Sequence, residues 1–113
     1  MESCLFCKIA AGQIPSSKVY EDDMVLAFND IDKQAPVHIL IIPKKHVASV
    51  AVLEDNDLDM VAHIIRVARD IAAAQGLGKG FRLVANTGQD GGQSVDHLHF
   101  HLLGGRALGW PPG

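Results

Sequence analysis

Hydrophobic residues recur along the chain at two periods, and the two-residue period predicts five β-strands. The five segments are residues 18–21, 24–31, 38–43, 80–86 and 97–103. The third reads His-Ile-Leu-Ile-Ile-Pro, a β-branched run that suits a buried central strand, and Pro43 ends it because proline offers no N–H to the ladder. Turns and loops join most neighbouring segments, so the pattern predicts an antiparallel sheet.

The longer period predicts two helices, both on one face of that sheet. Residues 57–75 carry hydrophobic side chains at intervals of three and four residues, which is typical of an amphipathic helix. Its stripe consists of Leu58, Val61, Ile64, Ile65, Ala68, Ile71 and Ala72. Residues 4–11 predict a short helix that Ser3 caps. Its inward-facing residues are expected to be Leu5, Phe6 and Ile9. Together these elements predict one α+β domain over residues 1–113.

The composition is that of a globular protein without a bias toward nucleic acid or membrane. Of 113 residues, 48% are hydrophobic and 20% are charged, and the formal net charge is −3. This negative charge argues against non-specific nucleic-acid binding, which needs a clustered basic face. No apolar run reaches the length of a membrane span, and the first residues, Met-Glu-Ser-Cys, lack the pattern of a signal peptide. A soluble, cytoplasmic protein is therefore expected.

The most informative stretch is residues 97–103, His-Leu-His-Phe-His-Leu-Leu. On a strand, His97, His99 and His101 would share one face, and the residues between them would face the core. The Cα atoms of the first and last histidines would lie roughly 13 Å apart, which is too far for one metal ion with bonds to nitrogen of about 2 Å. The three imidazoles are therefore expected to have different roles.

Three further features are candidates for chemistry. Residues 86–94 are Gly-rich and directly precede the histidines, which favours binding of a phosphate by backbone amides and polar side chains. Cys4 and Cys7 are the only cysteines, and in a reducing compartment Cys-x-x-Cys is typical of half a metal site or of a redox pair. His38, at the start of a strand, is a third candidate. Nothing distinguishes His63, in the middle of the long helix.

Several segments, in order along the whole chain, resemble the histidine triad superfamily, and most closely its histidine-triad nucleotide-binding (Hint) branch. They are Phe28-Asn-Asp-Ile31, Ala35-Pro-Val-His38, Ile42-Pro-Lys-Lys-His46, Gly91-Gly-Gln-Ser-Val95, His97-x-His-x-His101, and Gly104-Gly-Arg106 with Trp110-Pro-Pro-Gly113. The resemblance implies a two-layer α+β fold and a homodimer. It also implies hydrolysis of purine nucleoside phosphoramidates or aminoacyl-adenylates through a nucleotidyl-histidine intermediate.

The resemblance also implies roles for individual residues. His99 matches the nucleophile, His101 matches the histidine that contacts the phosphate and the leaving group, and His38 lies behind His101. Asp30 matches the acceptor for the ribose, although an aspartate after a strand is equally typical of a turn. The phosphate oxygens would be bound by Asn86, Gln93 and Ser94. The base pocket would be formed by Leu5, Phe6, Ile9, Phe28 and Leu40.

Bacterial-type members of the branch carry a Cys-x-x-Cys pair, and for this chain they imply a structural zinc. Its ligands would be Cys4, Cys7, His46 and His97. The alternative is a pair of reduced thiols, with His97 hydrogen-bonded beside the nucleophile. No organic cofactor is expected.

Three alternative functions stay open at this point. The first is a dinucleoside polyphosphate hydrolase of another branch, whose motif also has a glutamine four residues before the first triad histidine, as Gln93 stands before His97. The second is a nucleotide-binding adaptor in which catalysis is incidental. The third is an enzyme whose catalytic metal ion is bound by the triad. The expected ligands are purine nucleoside monophosphates and their phosphoramidate or acyl derivatives.

Overall fold

The fold is a five-stranded antiparallel sheet with one helix on each face, described over residues 3–113 by a computed structural model. The helices are α1 (Leu5–Ala10) and α2 (Leu58–Ala74), and the strands are β1 (Lys18–Glu21), β2 (Val25–Asn29), β3 (Val37–Pro43), β4 (Phe81–Val84) and β5 (Phe100–Gly104). Two short 3₁₀ turns, Val50–Val52 and Asp55–Asp57, lead from β3 into α2. The predicted α+β class and the five antiparallel strands are confirmed. None of the helices in the described range is long and apolar enough to cross a membrane.

The strand order places the histidine-bearing strand inside the sheet. The order is β1-β2-β3-β5-β4, and every neighbouring pair is antiparallel. The prediction that β3 is the central strand is confirmed. On β5, His101 pairs with Leu40 of β3 on one side and with Val84 of β4 on the other. Residues directly opposite each other share a face of the sheet, so these three side chains form one row.

Alternate residues of the central strands divide the core into two parts. The face against α2 is formed by Val25, Ala27, Ile39, Ile41, Phe100 and Leu102. The face against α1 is formed by Leu26, Phe28, Leu40 and Ile42, together with Phe6 and Ile9 of α1. The prediction of both helices on one face is therefore wrong. The physical reason is that the central strands are hydrophobic at consecutive positions, so both faces of the sheet need a cover.

The long helix buries a different stripe from the predicted one. Its buried residues are Met60, Ile64, Val67, Ala68, Ile71 and Ala72. Leu58 and Ile65 belong to the predicted stripe but are 52% and 44% exposed. Met60 lies four residues before Ile64, and Val67 lies three residues after it. The buried row therefore follows the helical repeat more closely than the predicted row does.

The short helix is capped by a cysteine. The N–H of Cys7 donates to Sγ of Cys4 at 3.3 Å, which makes Cys4 the N-cap in place of the predicted Ser3. Phe6 and Ile9 are buried as expected, whereas Leu5 is 45% exposed. Because α1 has only six residues, it covers only part of its face of the sheet.

β5 begins at Phe100 rather than at residue 97. The N–H of Leu98 donates to the carbonyl of Val47 at 2.7 Å, so residues 97–99 run beside the segment after β3 instead of joining the ladder. His97, Leu98 and His99 are all buried at consecutive positions. The strand is thus shorter than predicted, since only His101 of the three histidines lies on it. The predicted division of faces is confirmed: Leu98, Phe100 and Leu102 belong to the core against α2, whereas His97 and His99 pack against Phe6 of α1 and His99 lies beside His101.

Candidate catalytic and metal-binding site

His99 is buried, and its hydrogen bond defines which ring nitrogen is available for chemistry. Its Nδ1–H donates to the carbonyl oxygen of His97 at 2.7 Å. A carbonyl can only accept, so the lone pair of the neutral ring lies on Nε2. The edge of the Phe6 ring packs against His99, with ring centroids 5.0 Å apart and an interplanar angle of 86°. The ring is thus fixed by one nitrogen and by its packing, and Nε2 is the candidate nucleophilic atom.

His38 and His101 form a hydrogen-bond chain with a defined direction. The N–H of Gln34 donates to Nδ1 of His38 at 3.0 Å. The proton of neutral His38 therefore lies on Nε2, which donates to Nδ1 of His101 at 2.9 Å. His101 must then carry its own proton on Nε2. The rings of His99 and His101 lie 5.1 Å apart between centroids, so a free lone pair and an N–H donor are neighbours.

Burial keeps this pair of histidines neutral. It lowers the pKa of His38, and the negative charge of Asp30 only partly offsets the effect. Burial likewise lowers the pKa of His101 to about 4, with further lowering by any positive charge on His99 and His38. Both rings are therefore uncharged near pH 7, which is the state that the direction of the hydrogen bonds requires.

A second cluster joins the N-terminal helix to the residues before β5. It consists of Cys4, Cys7, His46 and His97, whose ligand atoms all lie within 4.8 Å of one another. Nδ1 of His97 lies 3.3 Å from Sγ of Cys4, 3.4 Å from Sγ of Cys7 and 3.2 Å from Nδ1 of His46. A tetrahedral zinc with bonds of about 2.0–2.3 Å separates its ligand atoms by about 3.3–3.8 Å. The cluster can therefore hold a metal ion of this kind.

The orientation of the His97 ring also fits a metal ligand. Its Nε2–H donates to the carbonyl of Pro43 at 2.8 Å, which leaves the lone pair of Nδ1 directed at the two sulfurs. His97 is completely buried, and burial lowers its pKa and so favours the neutral, ligating form. Burial and the neighbouring Cys4 thiol raise the pKa of Cys7. A bound cation would stabilise the two thiolates against that effect.

Asp30, His38 and His101 also lie close enough together to suggest a metal ion, with ligand atoms within 4.8 Å of one another. The direction of the hydrogen bonds argues against this use. Because Gln34 donates to Nδ1 of His38, the Nε2 atom that faces the other two residues carries a hydrogen and has no free lone pair. We therefore interpret this cluster as a hydrogen-bond chain rather than as a metal site.

The predicted ribose and base contacts lie beside these histidines on the α1 face. Oδ2 of Asp30 lies 3.4 Å from Nε2 of His38, and Oδ1 accepts the N–H of Asp32 at 2.9 Å. Asp30 is thus both next to the site and part of a turn, so the two interpretations of this residue are compatible. The buried members of the predicted base pocket pack together in one cluster: Phe6, Ile9, Phe28 and Leu40. Leu5 stands apart from this cluster at the surface.

The predicted phosphate loop is shaped by its own side chains. Nδ2 of Asn86 donates to the carbonyl of Gly91 at 2.7 Å. Gln93 accepts the N–H of Gly88 at 2.9 Å through Oε1, and its Nε2 donates to the carbonyl of Ala48 at 2.7 Å and to that of Val95 at 3.0 Å. Ser94 is exposed. Asn86 and Gln93 therefore hold the loop in place, whereas Ser94 is accessible to a ligand.

The groups that the sequence does not reveal are main-chain atoms. The N–H of Gln34 and the carbonyl of Pro43 decide which nitrogen of His38 and of His97 is protonated. Main-chain groups are the same for every residue type, so no side-chain pattern could have indicated them.

A further network, which shares no residue with these clusters, centres on Asp22. Its carboxylate accepts from Nε2 of His63 at 2.6 Å, from the Tyr20 hydroxyl at 2.8 Å, and from the N–H groups of Met24 and Val25 at 2.8 and 2.9 Å. Burial raises the pKa of Asp22, but the hydrogen bonds from His63 and Tyr20 outweigh it and hold that pKa well below its usual range. His63 thus connects α2 to the turn between β1 and β2.

The fold defines a histidine triad domain, together with the two clusters that contain His97 and that contain His38 and His101. Comparisons with known proteins agree. Residues 3–108 match a family described as "Scavenger mRNA decapping enzyme C-term binding". An uncharacterized HIT-like protein of Synechococcus elongatus is 50% identical over 112 residues, which cover 99% of this chain and 98% of that protein.

Two solved structures are similar over nearly the whole chain. A HIT family hydrolase from Legionella pneumophila has a TM-score of 0.97 and 54% identity, over 98% of this chain and 100% of that one. A histidine triad protein from Clostridium difficile has a TM-score of 0.93 and 53% identity, over 96% of each chain. The chain belongs to the histidine triad superfamily, as its motifs predict. Within that superfamily it is a HIT family hydrolase-like protein.

Proposed function

We propose that this protein hydrolyses purine nucleoside phosphoramidates or aminoacyl-adenylates through a covalent nucleotidyl intermediate on His99. The observation that supports the proposal is the direction of two sets of hydrogen bonds, the one at His99 and the one that joins His38 to His101. One leaves a lone pair on Nε2 of His99, and the other leaves a hydrogen on Nε2 of His101. A nucleophile and a donor for the leaving group are thus adjacent, which is the arrangement that nucleophilic catalysis at phosphorus needs.

In the first step, Nε2 of His99 attacks the α-phosphorus, and the bond from phosphorus to the leaving group breaks. His101 donates its Nε2–H to the leaving atom as a hydrogen bond and stays neutral. The carboxylate that leaves an aminoacyl-adenylate needs no proton, whereas a departing amine takes one from solvent. In the second step, water attacks the phosphorus and loses a proton to solvent, the bond to His99 breaks with its electron pair returning to Nε2, and nucleoside monophosphate is released.

The nucleotide would lie along the α1 face beside these histidines. We assign the ribose hydroxyls to Asp30, because its Oδ2 lies next to His38 and beside the reacting groups. The loop of residues 86–94 would bind the phosphate, with Ser94 and backbone N–H groups in contact and with Asn86 and Gln93 holding the loop. The base would lie against the apolar cluster that includes Phe28 and Leu40.

We further propose that Cys4, Cys7, His46 and His97 hold one structural zinc ion. The set of two thiolates and two imidazoles fills a tetrahedral shell, and a zinc site with no open position acts on stability rather than on substrate. When bound, zinc would cross-link α1 to the segment before β5. A reducing, cytoplasmic environment would keep both thiols available as ligands.

We also propose a homodimer in which Trp110 of one protomer reaches the active site of its partner. Trp110 is 84% exposed in the single chain, although a large aromatic side chain is usually covered. The segment before it is held to the sheet, because the guanidinium of Arg82 donates to the carbonyl of Gly109. An ordered tail that presents an uncovered tryptophan supports a contact with a second copy.

Trapping the intermediate tests the reaction directly. Protein mixed with α-³²P-labelled adenosine 5′-phosphoramidate and denatured at alkaline pH should carry an acid-sensitive label on the peptide that contains His99. His99→Ala should lose the label and at least about 10³-fold in kcat, while it still binds nucleoside monophosphate through the remaining contacts. His63→Ala removes a histidine outside the site and is the matched control. Undiminished turnover by His99→Ala would refute the mechanism.

The same assay separates the alternative functions. Faster turnover of diadenosine polyphosphate or of an mRNA cap analogue than of the phosphoramidate would assign the chain to another hydrolase class. Tight binding of nucleoside monophosphate with no turnover of any substrate would favour an adaptor. Adenosine and guanosine substrates compared at the same concentration would give the base preference.

A further inference from the structure

Arg106 belongs to the Gly-Gly-Arg motif at the end of β5, and the proposed reaction gives it no role. Its side chain is at the surface, yet it reaches back to the loop between β2 and β3. Nη2 of Arg106 donates to the carbonyl of Gln34 at 2.9 Å, and Nη1 donates to the carbonyl of Ala107 at 3.0 Å. The guanidinium thus bridges the end of β5 and the loop that carries Gln34.

Gln34 is the residue whose N–H donates to Nδ1 of His38. The bond from Arg106 to the Gln34 carbonyl fixes the peptide plane that follows the Cα atom of Gln34. The N–H of Gln34 lies in the peptide plane that precedes this Cα atom. The Gln34 side chain adds a second restraint, because its Nε2 donates to the carbonyl of Asp32 at 3.1 Å. The orientation of the N–H at Gln34 therefore depends on how firmly this exposed loop is held.

The backbone at Gly105 allows the two segments to approach closely. Gly105 has φ +89, and a Cβ there would lie 2.9 Å from Cβ of Pro36, so a side chain at this position would push the loop away. The close approach brings Arg106 within reach of Gln34. Gly105 and Arg106 of the motif therefore both contribute to the contact with Gln34.

We propose that Arg106 is a positioning residue that sets the protonated nitrogen of His38 and His101 by holding Gln34. The connection runs from the Arg106 guanidinium to the Gln34 carbonyl, from the Gln34 N–H to Nδ1 of His38, and from Nε2–H of His38 to Nδ1 of His101. Without the first bond, the loop no longer holds Nδ1 of His38 as an acceptor. In a fraction of the molecules both rings then adopt the other tautomer, in which His101 has no hydrogen on Nε2. The role in catalysis rests on the function proposed above.

The test compares three arginine variants. Arg106→Gln should lower kcat on the order of tenfold with KM changed less than about twofold, because a fraction of the molecules holds His101 in the wrong tautomer. Arg106→Lys keeps one donor for the Gln34 carbonyl and should restore most of the rate. Arg69→Gln removes an exposed arginine of α2 that donates to Asp70, outside the site and the tail, and should stay within about twofold of wild type.

A spectroscopic measurement decides the mechanism independently of turnover. In ¹⁵N-labelled protein near pH 7, the wild type and Arg69→Gln should show His38 and His101 protonated only on Nε2. Arg106→Gln should show mixed tautomers for both rings with its melting temperature nearly unchanged. Unchanged tautomers in Arg106→Gln would overturn the proposal whatever happens to kcat. If the wild type turns over neither the phosphoramidate nor an aminoacyl-adenylate, the proposed function fails, and the nitrogen spectra still decide the role of Arg106.

Discussion

His97 supports His99 through its main-chain carbonyl while its own ring faces a different cluster. The carbonyl accepts the Nδ1–H of His99 at 2.7 Å, and Nδ1 of the His97 ring lies 3.2–3.4 Å from atoms of Cys4, Cys7 and His46. One residue therefore belongs to the proposed metal site by its side chain and to the proposed catalytic group by its backbone. The metal site should affect the reaction only as far as it holds this backbone in place.

The first prediction concerns removal of the metal. Protein purified without chelator should contain one zinc per chain, and a strong chelator should lower the melting temperature by at least about 10 °C, because α1 loses its link to the segment before β5. Protein that stays folded should still form the labelled nucleotidyl intermediate. Cys4→Ser should reproduce the loss of stability. A metal content of zero in freshly purified protein would refute the site.

The second prediction concerns the phosphate loop. A Cβ at Gly91 would lie 2.2 Å from the carbonyl oxygen of Thr87 and 2.9 Å from its nitrogen, so Gly91→Ala must distort the loop that Asn86 holds. We expect the Kd for nucleoside monophosphate to rise by about 10- to 100-fold, since phosphate binding depends on the loop backbone. Gly78→Ala is the control, because a Cβ there meets nothing within 4 Å. Equal affinities of the two variants by calorimetry would contradict the assignment.

The third prediction concerns the dependence of stability on pH. The pKa of Asp22 is lowered in the folded protein, so its contribution to the free energy of unfolding is present above the unfolded pKa of about 3.9. That contribution is lost as the pH falls through the lower folded value. Asp22→Asn should therefore be less stable than wild type by about 1–3 kcal/mol at pH 7, and the difference should shrink below pH 4.

Denaturant titrations at several pH values measure this difference. Tyr20→Phe removes one neutral hydrogen bond and keeps the charge, so its destabilisation should change much less with pH. A constant difference between Asp22→Asn and wild type from pH 7 to pH 3 would show that the charge contributes nothing.

The fourth prediction concerns Trp110. If the tail of one protomer reaches the active site of its partner, Trp110→Ala should change the relative rates for different leaving groups more than it changes the Kd for nucleoside monophosphate. A single substitution is preferable to truncation, because truncation before Arg106 would also release Gln34. Sedimentation of the wild type at micromolar concentration should give a dimer. A monomer under those conditions would contradict the proposal.

Much of the sheet could be predicted from local patterns. The bounds of β1 agree exactly with the alternation over residues 18–21, and the β-branched run before Pro43 is the central strand. α2 lies where the helical period predicts it, within one residue at each end. These elements are determined by their own hydrophobic periods, so a single sequence contains the information.

Other features depend on contacts between distant residues. The start of β5 is shifted because the N–H of Leu98 bonds to Val47, and the side of the sheet that α1 covers depends on both faces being hydrophobic. The pairing of Asp22 with His63 joins residues 41 apart in sequence. The candidate site residues were identified from side-chain motifs, whereas the tautomers on which their proposed roles depend are set by main-chain groups.

The position of β5 between β3 and β4 has a consequence for how the protein is made. β5 follows the other four strands described in residues 3–113, and without it β3 has an open edge and β4 has no partner. A nascent chain that has not yet reached Gly104 therefore exposes two unpaired strands, which are prone to associate with other chains. The same strand carries His101. The sheet and the histidine pair are thus completed together, after the other four strands have been synthesised, and a chain terminated before β5 would lack both.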